Sequence, residues 1–366
     1  MSIDFLALAN AGVDKLHPYQ PGKPVAELER ELGISNSVKL ASNENPLGLG
    51  AKAKAAIEQA LPELARYPDA NGFALKAALA NKLAVSSEQL ILGNGSNELI
   101  DLVYHTFVSA GEEIVYSQYT FIVYALATQS HGAKAIEVPA KDFGHDLDAM
   151  AAAITEHTKL VCITNPNNPT GTFLSKADLQ VFLAKVPKQV LVILDEAYTE
   201  YVLPEERHPS IDWLNDYPNV IVSRTFSKAY GLAGLRVGYM VAHPELIGVL
   251  NRVREPFNCN SLALAAAEAA LSDEAYLEEA VSLNRREMQR YQTFFEEQGL
   301  RYVPSQANFI TLDLERDAAP VYDALLREGV IVRPLAGYGL PTCLRISIGL
   351  EQENQRCMAA LAKVLA

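Results

Sequence analysis

Four short segments of this 366-residue chain place reactive or ligand-holding side chains directly after apolar runs. Gly93-Asn94-Gly95-Ser96-Asn97 follows Leu90-Ile91-Leu92, and a helical pattern follows in turn. Glycines let the backbone approach a ligand closely, and free N–H groups at a helix start favour a phosphate. The same residues also make an ordinary strand-to-helix turn. Asn165, Asn167 and Asn168, with two prolines, follow the run ending at Thr164. That is turn chemistry, or else a side-chain amide aimed at a ring substituent. Val190–Leu194 delivers Asp195, with Tyr198 three residues later. This carboxylate could ligate Mg²⁺, cap a helix or pair with a cationic ring nitrogen. No neighbouring acidic ligand set or Walker A sequence supports a metal nucleotide site. Thr225, Ser227 and Lys228 follow a further apolar run, and Arg236 comes eight residues after Lys228. Such a lysine is either a surface residue or, among hydroxyls and small residues, a desolvated amine of the kind that forms imines.

Taken together, the four segments supply a phosphate cup, a donor to a ring substituent, a ring-nitrogen partner and an imine-forming lysine. Those are the parts that pyridoxal 5'-phosphate requires. In open parallel sheets, ligands gather beyond the carboxyl ends of strands, so the elements must bring the four clusters to one sheet edge. The sequence predicts strands at Gln89–Leu92, Glu113–Tyr116, Ala133–Val138, Lys159–Thr164, Val190–Leu194, Asn219–Ser223 and Val237–Ala242. Most are continuous apolar runs, as strands covered on both faces require. Amphipathic stretches such as Lys176–Ala184 separate several of them. The expected class is therefore α/β, with a mixed, mostly parallel sheet.

After about residue 260 the pattern changes. Ser261–Leu271, Asp273–Gln298 and Ala319–Glu328 read as helices, as does a final stretch from Gln352. Asn308–Leu312, Val330–Val332 and Cys343–Ile348 read as strands. This is an α+β pattern, and 366 residues exceed what one compact core holds. The expected division is an N-terminal arm with part of the small domain (1–45), a large cofactor-binding domain (46–260) and a small C-terminal domain (261–366). His17–Pro24, rich in breakers, should be extended.

Composition narrows the function. A net charge of −13 opposes nucleic-acid binding, which needs clustered Lys and Arg. The four cysteines form no C-x-x-C pair and the seven histidines no H-x-x-x-H, so no metal site is expected. The longest uncharged stretch, between Glu113 and Lys134, carries too many polar groups for a bilayer core. The opening residues lack a basic region followed by an apolar run, and a cytoplasmic enzyme is expected.

The segments NNPTG (167–171), DEAY (195–198) and TFSKAYGLAGLRVGY (225–239) resemble the aspartate aminotransferase superfamily, pyridoxal-phosphate fold type I. LASNENPLG (40–48), ARYPD (65–69), SQYTFIVY (117–124), QANFI (306–310) and CLRISIG (343–349) extend the likeness over nearly the whole chain. Within the superfamily the chain is most similar to the histidinol-phosphate aminotransferases.

The resemblance implies a role for each matching position. Lys228 forms the imine with the cofactor and later moves the substrate proton. Asp195 keeps the pyridine nitrogen protonated, and Asn168 and Tyr198 hydrogen-bond the ring 3-oxygen. Phe121, where many relatives carry tyrosine, stacks on the ring. Gly95, Ser96, Asn97, Thr225, Ser227 and Arg236 hold the phosphate. Tyr67 reaches that phosphate from the neighbouring subunit, which implies a homodimer with shared sites. Arg345 grips the anionic end of the substrate, and Tyr19, Asn43 and Asn308 line the substrate side. Tyr119, Tyr124 and Tyr230 are expected only to pack. The implied reaction converts histidinol phosphate and 2-oxoglutarate into imidazole acetol phosphate and glutamate. An aromatic amino acid aminotransferase would share every one of these residues, because a few pocket contacts are worth only ~1–3 kcal/mol. A decarboxylase of a phospho-amino acid would use the same scaffold. A sensor module would carry an added DNA-binding domain, for which ~45 residues ahead of the large domain are too few.

Overall fold

Seven strands form the larger sheet of the chain, whose computed structural model describes residues 3–10, 12–16 and 23–366. They are β1 (Leu90–Gly93), β2 (Glu113–Ser117), β3 (Lys134–Val138), β4 (Thr158–Thr164), β5 (Leu191–Asp195), β6 (Val220–Thr225) and β7 (Gly238–Val241). Their order is β1-β7-β6-β5-β4-β2-β3. Every neighbouring pair is parallel except the two that involve β7. Residues 226–237, between β6 and β7, contain only a three-residue 3₁₀ turn at Ala233–Leu235. A parallel return needs a crossover element, so β7 must come back antiparallel.

Alternate residues of the central strands feed two separate cores. Val115, Val161, Ile163, Val192, Leu194 and Val222 face one side, where Leu79, Phe182 and Ala267 meet them. Ile114, Leu160, Cys162, Ile193 and Ile221 face the other, against helices α1 (Ser96–Phe107) and α2 (Ile122–Ser130). Both faces are thus covered, which is why the strands read as unbroken apolar runs. The chain is an α/β protein with a mostly parallel sheet, as its sequence predicts.

A second sheet holds β8 (Arg301–Val303), β9 (Phe309–Asp313), β10 (Arg333–Pro334) and β11 (Cys343–Ser347), antiparallel in the order β10-β11-β9-β8. Ile310, Leu312, Leu344 and Ile346 form its core with Tyr291, Phe295 and Leu361 from two long helices. Val38–Lys39 pairs in parallel with Val330–Ile331, which ties the N-terminal segment to this part of the chain. The helix Ser261–Leu271 goes the other way. Its side chains Ala263, Ala266, Ala267 and Ala270 lie in the core of the larger sheet. Small residues on that face permit close helix packing, and Asn260 caps its start. Among the described residues, no helix is long and apolar enough to cross a membrane.

Candidate active site

Beyond the carboxyl ends of β4, β5 and β6 lies a cavity of about 200 Å³. Ser96, Asn97, Phe121, Asn168, Asp195, Tyr198, Thr225, Ser227, Lys228 and Arg236 line it, all expected from the sequence. Thr164 and Ala197 line it as well and were not expected.

One end is a cationic cup. Gly95, at φ +84, precedes α1 and leaves the first-turn N–H groups facing outward. A Cβ at this position would lie 2.2 Å from Arg236 Nη2, so only glycine lets the guanidinium rest over the loop. Arg236 Nη1 donates to Ser227 Oγ at 3.2 Å, and Thr225 Oγ1 donates to Ser227 Oγ at 3.0 Å. A guanidinium, two hydroxyls and a helix N-terminus together suit an oxyanion.

Asp195 adds a carboxylate to the same cavity. Asp195 ends β5 with its carboxylate 2% exposed. Burial pushes its pKa up to about 6, while bonds from the Tyr124 hydroxyl (3.0 Å) and the Ala197 amide (3.3 Å) pull it down. The Tyr124 contact corrects the expectation that this residue only packs. Phe121 and Tyr124 are three residues apart at the start of α2, a spacing that puts both on one face. Tyr119 lends its backbone carbonyl to Asn167 Nδ2 at 2.7 Å, and Tyr230 packs on Phe226.

Lys228 lines the same cavity and feels the charges of both Arg236 and Asp195. Its Nζ lies 3.5 Å from the Ser42 carbonyl oxygen and 5.7 Å from the centre of the Tyr198 ring. Burial first, and then the charge of Arg345, lower its pKa to about 8. Burial pushes Tyr198 up to about 12, so its hydroxyl keeps its proton at neutral pH. Arg345 Nη1 donates to Asn168 Oδ1 at 2.5 Å, and Nη2 donates to the Ala41 carbonyl at 2.8 Å. With Oδ1 so used, Asn168 has its Nδ2 protons left for the cavity.

The depressed Lys228 pKa has a consequence for the cofactor-free protein. The folded value of about 8 lies below the 10.5 of a free lysine. The penalty for burying the charge is therefore complete below pH 8 and is relieved as pH rises toward 10.5. Lys228→Met should melt above the parent protein at pH 7, with the gap closing between pH 8 and 10.5. Thermal unfolding over that range checks this, and a gap independent of pH contradicts it.

The remaining expected residues lie outside the cavity lining. Asn43 and Asn308 are buried beside it. Asn308 Nδ2 donates to the carbonyl oxygens of Asn43 (3.0 Å) and Glu44 (3.5 Å), so it fixes backbone. Tyr67 is 82% exposed and stacks on Phe257 with ring centres 4.7 Å apart. Tyr19 lies outside the described residues. Among the described residues no cluster of metal-binding side chains occurs. The arrangement suits a flat ligand with an anionic arm at one end and a basic ring nitrogen at the other.

Comparison with known proteins agrees with this geometry. The chain is 61% identical to histidinol-phosphate aminotransferase 1 of Mannheimia succiniciproducens over 361 residues, covering 99% of each. It is 58% identical to histidinol-phosphate aminotransferase 2 of Haemophilus influenzae, again covering 99% of each. The crystal structure of histidinol-phosphate aminotransferase from Sinorhizobium meliloti, in complex with pyridoxal-5'-phosphate, superposes with a TM-score of 0.88 at 33% identity. That alignment covers 94% of this chain and 95% of the other. The family model described as aminotransferase class I and II matches residues 35–361, and the chain belongs to that family.

Proposed function

We propose that this chain is a pyridoxal-phosphate-dependent aminotransferase that interconverts histidinol phosphate and 2-oxoglutarate with imidazole acetol phosphate and glutamate. The observation that carries the reading is one cavity lined by an oxyanion cup, a buried carboxylate and a buried amine. The donor set fits the cofactor. The loop at Gly95 has no room for a Cβ under Arg236, and Asp195 is a buried carboxylate whose raised pKa reflects the lack of a cationic neighbour close enough to offset burial. When bound, the cofactor supplies an electron-withdrawing ring that weakens the substrate Cα–H bond.

The residues then divide the work. Arg236, Ser227, Thr225, Ser96, Asn97 and the Gly95 amide would hold the phosphate, and Phe121 would lie against the ring. Asp195 would hold a proton on the ring nitrogen. Asn168 Nδ2 and the Tyr198 hydroxyl would donate to the ring 3-oxygen. Lys228 Nζ would be the point of attachment and would take the substrate Cα proton. Arg345 binds the anionic end of either substrate, a phosphate in one and a carboxylate in the other. Tyr19, Asn43 and Asn308 stand on the substrate side of this arrangement.

Tyr67 is assigned to the cup of a second subunit, which makes the enzyme a homodimer with shared sites. Its exposure and its stacking on Phe257 support that assignment. The cofactor-binding domain is taken to run from about residue 46 through the helix ending at Leu271. The small domain is made of the rest and the segment up to 45. Four buried free cysteines are in keeping with a cytoplasmic enzyme.

The direct test is amino transfer from glutamate to imidazole acetol phosphate by the purified protein; no turnover overturns the reading. Arg345 gives a sharper one. Loss of hydrogen bonds to a charged group costs about 1.5–3 kcal/mol, so Arg345→Ala should lower kcat/KM by roughly 10–10²-fold. The loss should be similar for histidinol phosphate and for glutamate. A loss confined to one substrate contradicts a shared anion site. Arg345→Lys should recover little, because the planar fork is gone.

A further inference from the structure

Behind Tyr198 a chain of polar side chains leads back to the strand that carries Arg345. Asn43 adopts a left-handed backbone at φ +54 and is 1% exposed. Its Nδ2 donates to the Tyr198 hydroxyl oxygen at 3.0 Å. Its backbone N–H donates to Ser347 Oγ at 2.8 Å, and the Ser347 hydroxyl donates to Asn43 Oδ1 at 2.9 Å. Ser347 follows Arg345 by two residues on β11, so both side chains leave the same face of the sheet. Nothing in the sequence reading singled out Ser347.

Ser347 Oγ accepts from the Asn43 amide N–H and gives its one proton to Asn43 Oδ1, which leaves Nδ2 facing Tyr198. Nδ2 carries only donors, so the Tyr198 oxygen accepts there and its own proton must point elsewhere. The open direction is the cavity.

We propose that Ser347 and Asn43 are positioning residues that keep the Tyr198 hydroxyl proton directed into the cavity and tie its direction to the strand bearing Arg345. The proposal rests on the reading that Tyr198 donates to the 3-oxygen of a bound cofactor. The ionisable groups that act on Tyr198 are Asp195, Arg345, Tyr338 and Lys228. Lys228 also feels Glu44 and Arg236. The substitutions at Ser347 leave every one of these charges in place, so a changed titration reports the hydrogen-bond chain.

The experiment follows the visible absorption of the cofactor-loaded protein against pH. In Ser347→Ala the Asn43 amide is free to turn its oxygen to Tyr198 and take the hydroxyl proton. The 3-oxygen then loses a donor, and the nitrogen joining Lys228 to the cofactor holds its proton more tightly. The titration midpoint should rise by about one pH unit, the equivalent of one hydrogen bond to a charged group. Ser347→Thr, which keeps the hydroxyl, should titrate as the parent protein does. Ser347→Cys, a weaker donor, should fall between them and serves also should the alanine variant not fold. In a Tyr198→Phe background, Ser347→Ala should add nothing. An unmoved midpoint in the alanine and cysteine variants overturns the proposal, as does a full extra shift in the Tyr198→Phe background. A parent protein with no pH-dependent visible band overturns the cofactor reading itself, a separate failure from a titrating parent with unmoved variants.

Discussion

Lys228→Ala abolishes amino transfer, with an expected fall of at least about 10⁴-fold in the rate of the half-reaction. The size follows from two tasks that converge on one atom. On the proposed assignment Nζ both attaches the cofactor and serves as the base for the substrate Cα proton. Among the described residues no second amine lines the cavity, and the other cation lining it is the Arg236 guanidinium engaged with Ser227. The variant should remain folded, since burial disfavours the charged amine and its removal relieves that cost. Single-turnover absorbance with histidinol phosphate measures the rate. Borohydride reduction followed by peptide mass analysis should fix the cofactor to the peptide containing residue 228 in the parent protein and to none in the variant. A variant that still retains cofactor through reduction would move the attachment to another lysine.

Asp195→Ala is expected to slow the half-reaction by about 10²–10³-fold, as removal of a preorganised charge does in other active sites. In the protein alone, burial raises this carboxylate to about 6 even with the Tyr124 and Ala197 bonds in place. The neighbouring Lys228 offsets only a small part of that. On the proposed assignment a cationic ring nitrogen would provide the missing counter-charge, and the pair would stabilise negative charge developing at the substrate Cα. Since the cup and Lys228 are untouched, Asp195→Ala should still yield the borohydride-fixed peptide. That separates it from Lys228→Ala. A rate within a few-fold of the parent would show that the carboxylate does not act on the ring.

Much of this was legible in the residues themselves. Each central strand is an unbroken apolar run because both its faces are covered, and the polar clusters stand out at the strand ends for the same reason. Lys228, Asp195 and Arg236 are such interruptions. The strands that escaped are those whose pattern is too short to have a period. Arg301–Val303, Arg333–Pro334 and Val38–Lys39 are two or three residues long. They exist through pairing with distant partners, which sequence spacing does not encode. The antiparallel direction of β7 was not assigned from the sequence, although the lack of a crossover helix between residues 225 and 238 is what sets it. Tyr124 and Ser347 were missed because a buried tyrosine or serine looks the same whether its hydroxyl meets a catalytic side chain or the backbone. Tyr67 lies apart from the cavity on a surface, and only the family resemblance gave it a role.

The central claim is tested most directly by titrating the protein, loaded with pyridoxal phosphate and freed of excess, with L-histidinol phosphate and then with L-phenylalanine. The visible band should disappear at low histidinol phosphate as the amino form of the cofactor appears, and 2-oxoglutarate should restore it. Conversion by phenylalanine far more readily than by histidinol phosphate would make the enzyme an aromatic aminotransferase. Failure of any visible band to form on loading would contradict the account at its root, the attachment of the cofactor at Lys228.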